Sequence, residues 1–330
     1  MYFYIQWHIT DRCNLRCLHC YQEQFTTQNE LPFSKLKLIS RNLISTSKLW
    51  NKKLKIALTG GEPLLKGELW KLVDYLLHSN VSLSLISNGL LVNKYLPEIK
   101  QSGLDEFYIS LDGITEETND AIRGKDSFKK AIEGISQLKS HGFSVVIMFT
   151  LLKRNFQEAM RLFDFAKELK VDGYIIERFF PLGQGKKIAD EVVSGKEIDS
   201  LYQHIFKQVR EVYLAEEMIK YRAIQIRFDR KAKIYGAECI VGRDGLAILP
   251  DATVLPCRRF FFPIGNLLEK PLNEIWKGSK VLKKIIEKKN LKGKCNENKC
   301  PISDCYGCRA MTLAISSDYL GEDPHCWVYK

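Results

Sequence analysis

The chain has no apolar run approaching the roughly 18–20 residues needed to cross a bilayer. Its apolar start, Met1 to Ile9, has no basic leader and runs straight into Asp11 and Arg12. The start therefore reads as a first strand, not a signal peptide, and a cytoplasmic protein without membrane contact is expected. There is no low-complexity segment and no internal repeat beyond a strand–helix alternation. Nucleic-acid recognition motifs of the usual kinds are also missing, which sets nucleic acid aside as a partner. The formal net charge of +11 then points to an acidic peptide or an anionic small molecule. Part of it belongs to a solvated helix face between Lys277 and Lys289. What is present is ordinary for a globular protein: 330 residues, 45% hydrophobic and 27% charged. That length suffices for one α/β barrel, or for a barrel of about 200 residues with a smaller domain.

Ten cysteines are present. They fall into two clusters: Cys13, Cys17 and Cys20, then Cys239, Cys257, Cys295, Cys300, Cys305, Cys308 and Cys326. A long chain without an export signal gives little reason for disulfides. Clustered thiols in a reducing compartment point to metal.

Short apolar runs alternate with helical patterns as far as residue 180. Strands are expected at Tyr2–Ile9, Leu54–Thr59, Ser82–Ser87, Glu106–Leu111, Phe143–Thr150 and Tyr174–Arg178. Helices are expected at Lys35–Lys48, Glu68–His78, Asn93–Ser102, Ser127–His141 and Asn155–Leu169. This alternation implies right-handed βαβ units and a parallel sheet. Six units are too few for a closed eight-stranded barrel, so a partial (β/α)6 barrel is expected. Beyond it come a loop from Pro181 to Lys187, a helix near Lys196–Met218 and a domain boundary after residue 222. The region 223–330 shows one hairpin, Leu246–Leu249 with Thr253–Leu255, a helix at Ser279–Lys289 and the cysteine-dense tail.

In such folds the working residues sit after the carboxyl ends of the strands. Here those ends carry the Cys13–Cys20 loop, Gly60-Gly61-Glu62-Pro63, Ser87-Asn88-Gly89 and Ser110-Leu111-Asp112-Gly113. Three thiolates in one loop leave one iron of a four-iron cluster open to a small chelating molecule. A structural zinc site would need a fourth ligand, such as His8 or His19.

The C-x3-C-x2-C loop followed by Gly60-Gly61-Glu62-Pro63 resembles the radical S-adenosylmethionine (SAM) superfamily over about residues 2–180. The resemblance implies a 4Fe-4S cluster on Cys13, Cys17 and Cys20, catalytic in reductive cleavage of S-adenosylmethionine. It also implies a 5′-deoxyadenosyl radical that takes hydrogen from substrate. His19 is expected against the adenine. Gly60, Gly61 and Glu62 are expected at the methionine amino group, with the Glu62 carboxylate accepting from the ammonium. Ser87 and Asn88 are expected beside the ribose or methionine, Ser110 at the methionine carboxylate or ribose, and Arg123 at the methionine carboxylate. Asp112-Gly113 reads equally well as a plain turn.

The second cluster resembles the SPASM type of auxiliary iron–sulfur extension. The matching residues are Asp251 to Cys257, Ile264 to Leu267, Pro271 to Trp276, Cys305 to Ala310 and Gly321 to Cys326. The resemblance implies one or two auxiliary clusters, an inner one on Cys239, Cys257 and Cys308 and an outer one on Cys295, Cys300, Cys305 and Cys326. The stretch 229–235 lacks the cysteine that the full pattern has there, so an open iron, a ligand such as Asp229 or a two-iron cluster is expected. Zinc in the tail is the alternative, since Cys305 and Cys308 have zinc-finger spacing.

Many SPASM-bearing relatives modify ribosomally made precursor peptides by thioether or carbon–carbon cross-links or by epimerisation, and that is the leading expectation. With the barrel starting at residue 2, no amino-terminal peptide-recognition domain is expected, and recognition by a separate partner protein or through a direct groove is expected instead. Haem or other cofactor biosynthesis on a polycarboxylate is the alternative, favoured by the 181–186 loop and the Cys305–Ala310 tail. A sulfatase-type maturase and a non-catalytic electron carrier complete the set. A flavodoxin or ferredoxin is expected as electron donor. At the end of the sixth strand Glu177 and Arg178 are expected to face the mouth.

Overall fold

The computed structural model describes residues 1–328. Six strands run in parallel: β1 (Tyr2–His8), β2 (Lys53–Thr59), β3 (Ser82–Ser87), β4 (Glu106–Ser110), β5 (Ser144–Leu151) and β6 (Gly173–Arg178). Between them lie α1 (Phe33–Leu49), α2 (Leu69–His78), α3 (Val92–Gln101), α4 (Glu116–Arg123), α5 (Ser127–Ser140) and α6 (Phe156–Glu168). Apolar residues alternate along β1, and Phe3, Ile5, Trp7 and Ile9 are all buried. Helical spacing puts Leu36, Ile39 and Leu43 of α1 on one buried face. Each such side chain contributes roughly 1.5–3 kcal/mol by leaving water.

The remaining elements complete the sheet instead of forming a separate one. After α7 (Gly195–Val209) and α8 (Ala215–Met218) come β7 (Tyr221–Phe228) and β8 (Ala232–Glu238), antiparallel and attached to β6. Next come β9 (Gly245–Ile248), β10 (Thr253–Leu255) and β11 (Gly265–Asn266). β9 pairs in parallel with β1, and β10 and β11 follow antiparallel. The result is one open eleven-stranded sheet in the order β11-β10-β9-β1-β2-β3-β4-β5-β6-β7-β8. The chain ends with α9 (Leu272–Gly278), α10 (Lys280–Ile285), α11 (Arg309–Ser316) and cysteine-bearing loops.

The partial (β/α)6 unit and the 250–252 turn agree with the expectations from sequence. The β7–β8 hairpin does not appear among them, and the boundary after residue 222 falls inside β7. No helix among the described residues is long and apolar enough to cross a membrane.

Candidate functional site

Register brings the first cysteine loop and the Gly-Gly turn together. His8 of β1 is level with Thr59 of β2. The ladder then continues past both strands: Ile9 N donates to Thr59 O at 2.9 Å, Gly61 N to Thr10 O at 2.8 Å and Glu62 N to Arg12 O at 2.7 Å. This closeness explains the glycines. A Cβ on Gly60 would stand 2.3 Å from the Thr10 carbonyl oxygen, and one on Gly61 2.1 Å from that of Arg12. Both glycines admit the cysteine loop itself, a need that precedes any ligand. Arg12 and Lys66 then converge on Glu30, at 2.8 and 3.2 Å, and fix the far side of the loop.

Above the strand ends lies a solvent-open cavity. Its wall includes Cys13, Cys17, Cys20, His19, Gly60, Gly61, Ser87, Asn88, Ser110 and Arg123. All the residues expected at the radical site are therefore brought to one place, except Glu62. None of the three cysteines is in a disulfide. Leu15 N donates to Cys13 Sγ at 3.4 Å and Gln22 N to Cys20 Sγ at 3.5 Å, the bonds that sulfur ligands of iron accept. Asn88 Nδ2 approaches Cys13 Sγ at 3.9 Å and donates to Asn14 Oδ1 at 2.8 Å, so it steadies the loop. Burial pushes the Cys17 thiol up to about 12 against the opposing pull of Arg123. Such a sulfur becomes a thiolate by binding metal, which displaces its proton. Three thiols with these donors fit a cluster held at three corners.

Glu62 requires a correction. It is fully buried beneath the cavity, accepting from Leu64 N at 3.1 Å, Ser87 Oγ at 2.9 Å and Asn88 N at 2.8 Å. Its carboxylate ties the end of β2 to the end of β3 and does not face the cavity as a partner for an ammonium. Burial outweighs these three donors and pushes its pKa up to about 7.

Asp112 is more than a turn residue. It is fully buried, with Arg123 Nε at 2.7 Å and His19 Nε2 at 2.9 Å from Oδ2. Thr150 N donates to its Oδ1 at 2.7 Å. Burial would raise this carboxyl, but the Arg123 guanidinium, then His19, hold it at about 2. One buried carboxylate thus orients both the histidine and the arginine assigned to S-adenosylmethionine. Arg123 reaches it from the last turn of α4. That helix is started by the Thr115 cap on Thr118 N and by Glu116 and Glu117 in its first turn. The sequence signal was Asp112 at the carboxyl end of a strand, the position where function collects.

At the far side of the cavity Glu177 and Arg259 form a close ion pair, and both line the wall. Arg178 also lines it, and its Nη2 donates to Tyr221 O at 2.6 Å. The expectation that Glu177 and Arg178 face the mouth agrees with this geometry. Arg259 was missed from sequence, although it follows Cys257 by two residues.

The second set of cysteines surrounds Asp323 and Arg222. Burial pushes the Cys239 thiol up to about 11; Arg222 opposes this, while Cys308 and Cys257 add to it, so these three sulfurs are neighbours. Asp323 N donates to Cys295 Sγ at 3.4 Å, and Asp323 Oδ2 accepts from Cys308 N at 2.6 Å. Arg222 Nη2 lies 3.7 Å from Cys305 Sγ, and Arg309 Nη2 3.5 Å from Cys295 Sγ. Cys326 N donates to Asp323 O at 3.2 Å, and Lys288 Nζ carries the Cys300 loop through Cys300 O and Ile302 O. Among the described residues no three His, Cys, Asp or Glu side chains converge as one metal ion requires. A multi-iron cluster takes its thiolates around a larger body, and the buried guanidiniums call for the negative charge it brings.

Asp229 is no ligand of this set. It lies in the 229–231 turn next to Phe228, which pairs with Ala232, whereas Cys239 lies next to Glu238, which pairs with Tyr221. Seven strand residues at roughly 3.3 Å each separate the two ends of that hairpin.

Residues 7–166 match the radical SAM superfamily model, and residues 239–308 match SPASM, an iron–sulfur cluster-binding domain. The chain belongs to the radical SAM superfamily and is an enzyme of its SPASM-bearing class, whose cofactors are 4Fe-4S clusters and S-adenosylmethionine. It is 28% identical to the AdoMet-dependent heme synthase of Methanosarcina barkeri over 99% of this chain and 96% of that one. The mycofactocin maturase MftC of Mycobacterium tuberculosis is 26% identical over 98% and 82%. Among solved structures, Streptococcus suis SuiB bound to precursor peptide SuiA superimposes with a TM-score of 0.77 at 18% identity, covering 99% of this chain and 76% of that one. This last likeness concerns the fold alone.

Proposed function

We propose that the enzyme abstracts hydrogen from a residue of a ribosomally made precursor peptide and completes a cross-link or an epimerisation there. When bound, the cluster and S-adenosylmethionine supply one-electron cleavage of the sulfonium and a carbon radical that takes that hydrogen. Cys13, Cys17 and Cys20 hold the cluster. Asp112 keeps His19 and Arg123 turned toward the adenine and the methionine carboxylate. Gly60, Gly61, Ser87, Asn88 and Ser110 complete the S-adenosylmethionine wall, and Glu62 braces it from below. Residues 1–222 serve the radical site and residues 223–330 the auxiliary clusters, with β7 carrying the sheet across the division. A separate peptide-recognition protein and an acidic flavodoxin or ferredoxin are the partners that the basic charge favours.

The cavity is the observation that supports a peptide. It opens to solvent above the strand ends, so a peptide lying on the surface can offer a single side chain at the mouth. A tetrapyrrole polycarboxylate is the second reading. It is favoured by the whole-length similarity to a heme synthase and by Arg123, Arg178 and Arg259 on the cavity wall.

The reconstituted full chain with dithionite and S-adenosylmethionine is expected to release 5′-deoxyadenosine. No product from iron-loaded protein would sink both readings. Deuterium carried from a labelled precursor peptide encoded beside the gene into 5′-deoxyadenosine supports the peptide. Deuterium carried from a labelled iron-coproporphyrin supports the tetrapyrrole instead.

A further inference from the structure

We propose that Arg222 and Arg309 raise the reduction potential of the auxiliary iron–sulfur site by holding fixed positive charge against Cys305 and Cys295. The proposal is independent of the substrate. Arg309 is 1% exposed. Its Nη1 donates to Tyr319 O at 3.1 Å and Gly321 O at 2.7 Å, which fixes Nη2 beside Cys295 Sγ at 3.5 Å. Gly307 makes the room, since a Cβ there would stand 2.3 Å from that same Nη2. Arg222 is fixed in the same manner. Its Nη1 donates to Ile219 O at 3.0 Å and Nη2 lies 3.7 Å from Cys305 Sγ.

The charges do not balance within the protein. Arg178, 3% exposed, adds a third guanidinium to the same interior, and its Nε and Nη1 have no hydrogen-bond partner among the described residues. Nε of Arg222 and of Arg309 is equally without a partner. Asp323, 3.5 Å from Arg222, is the only carboxylate among the described residues that forms an ion pair with any of the three. Buried charge persists where it is compensated, and here the groups left to compensate it are the sulfurs. One-electron reduction adds a further negative charge to those ligands and their metal. Fixed guanidiniums at hydrogen-bond distance from the sulfurs therefore favour the reduced form.

The radical site is arranged otherwise. Arg123 is taken up by Asp112, and no guanidinium nitrogen among the described residues donates to the sulfur of Cys13, Cys17 or Cys20; Arg16 Nη1 donates instead to the Cys13 carbonyl oxygen at 2.8 Å. The two sites thus differ in the fixed positive charge held at hydrogen-bond distance from sulfur, which favours reduction at the auxiliary site over the radical site. Arg178 joins them, lining the radical cavity and donating to Tyr221, the residue before Arg222.

The test is a redox titration of the reconstituted full chain, followed by electron paramagnetic resonance. Arg309→Gln and Arg222→Gln are each expected to shift the auxiliary signal's equilibrium toward oxidation about tenfold, or about 59 mV for one electron. The radical-site signal should stay in place. Arg309→Lys should keep most of the native potential. An unmoved midpoint at full iron content overturns the proposal, as does a Lys variant that falls as far as Gln. Should Arg309→Gln lose its iron, Arg222→Gln decides by the same criterion. Iron lost from both assigns the arginines a purely structural role and overturns the proposal.

Discussion

The two cysteine regions hold their sulfurs by different means. Cys13, Cys17 and Cys20 stand on a loop that the ends of β1 and β2 grip through backbone hydrogen bonds and Asn88, after β3, through its side chain, and they face a cavity. Cys295, Cys305 and Cys308 stand inside the protein among arginines and Asp323. On the proposed ligand assignment, the first arrangement would leave a corner open for a cofactor that must come and go. The second would wrap the chain around its metal, coupling assembly to folding of this region. Neighbouring sequence settles the first site, and long-range charge settles the second.

The sharpest test separates the two by chemistry. Cys17→Ala is expected to remove 5′-deoxyadenosine formation by more than about 100-fold, beyond what the loss of an outer contact to a metal site costs. Cys257→Ala should lower iron per chain and leave cofactor cleavage largely intact. Unchanged iron in Cys257→Ala would refute its assignment as a ligand.

Next in size is Asp112→Asn. It leaves Arg123 and His19 without their buried counter-charge, at a cost of about 3–5 kcal/mol, read by urea unfolding of the cluster-loaded protein. Arg222 faces the same test in the second region through Asp323→Asn. There the sulfurs share the charge, and a smaller loss is expected.

Glu62 gives a pH signature that the arginine-lined region should lack. Its folded pKa is raised from 4.5 to about 7, so the folded state holds the proton more tightly than the unfolded chain. Stability should fall as pH rises from about 4.5 to about 7 and then level off. At roughly 1.4 kcal/mol per unit the drop is about 3 kcal/mol. Glu62→Gln should flatten that slope in unfolding curves taken at pH 5, 6, 7 and 8. Asp112, held at about 2 from 3.8, acts in the opposite sense: its contribution is present above 3.8 and is lost as pH falls toward 2.

The smallest contrast is steric. Gly61→Ala meets backbone, which cannot yield, whereas Gly307→Ala meets first the end of the Arg309 side chain, then Asp323 Cβ, at a left-handed φ of 62° that favours glycine. Overpacking of about 1–3 kcal/mol is expected at Gly61, with iron lost from the radical site. Gly307→Ala should move Arg309 and alter the auxiliary signal at nearly full iron.

The six strands and their helices were legible because each carries its own period. β1 alternates, and Leu36, Ile39 and Leu43 repeat as one helix face does. β7 and β8 were not legible. Their register comes from pairing with β6 and with each other, and the exposed Lys233 and Tyr235 leave β8 without a strong apolar alternation. The cysteine loop and its glycines were visible as residue types. The roles of Glu62 and Asp112 were not, because a carboxylate that braces a site and one that touches a ligand look alike until their partners are known. Asp229 failed for a similar reason: only the hairpin reveals how far it lies from Cys239.

The C-terminal half also completes the sheet. β9 covers the outer edge of β1 and β7 covers that of β6. A chain cut at residue 222 would bare both flanks of the parallel strands, two templates for pairing with other copies. The barrel and its auxiliary region therefore share one continuous sheet. Exchanging the cysteine-rich part between relatives would require the bordering strands to be exchanged with it.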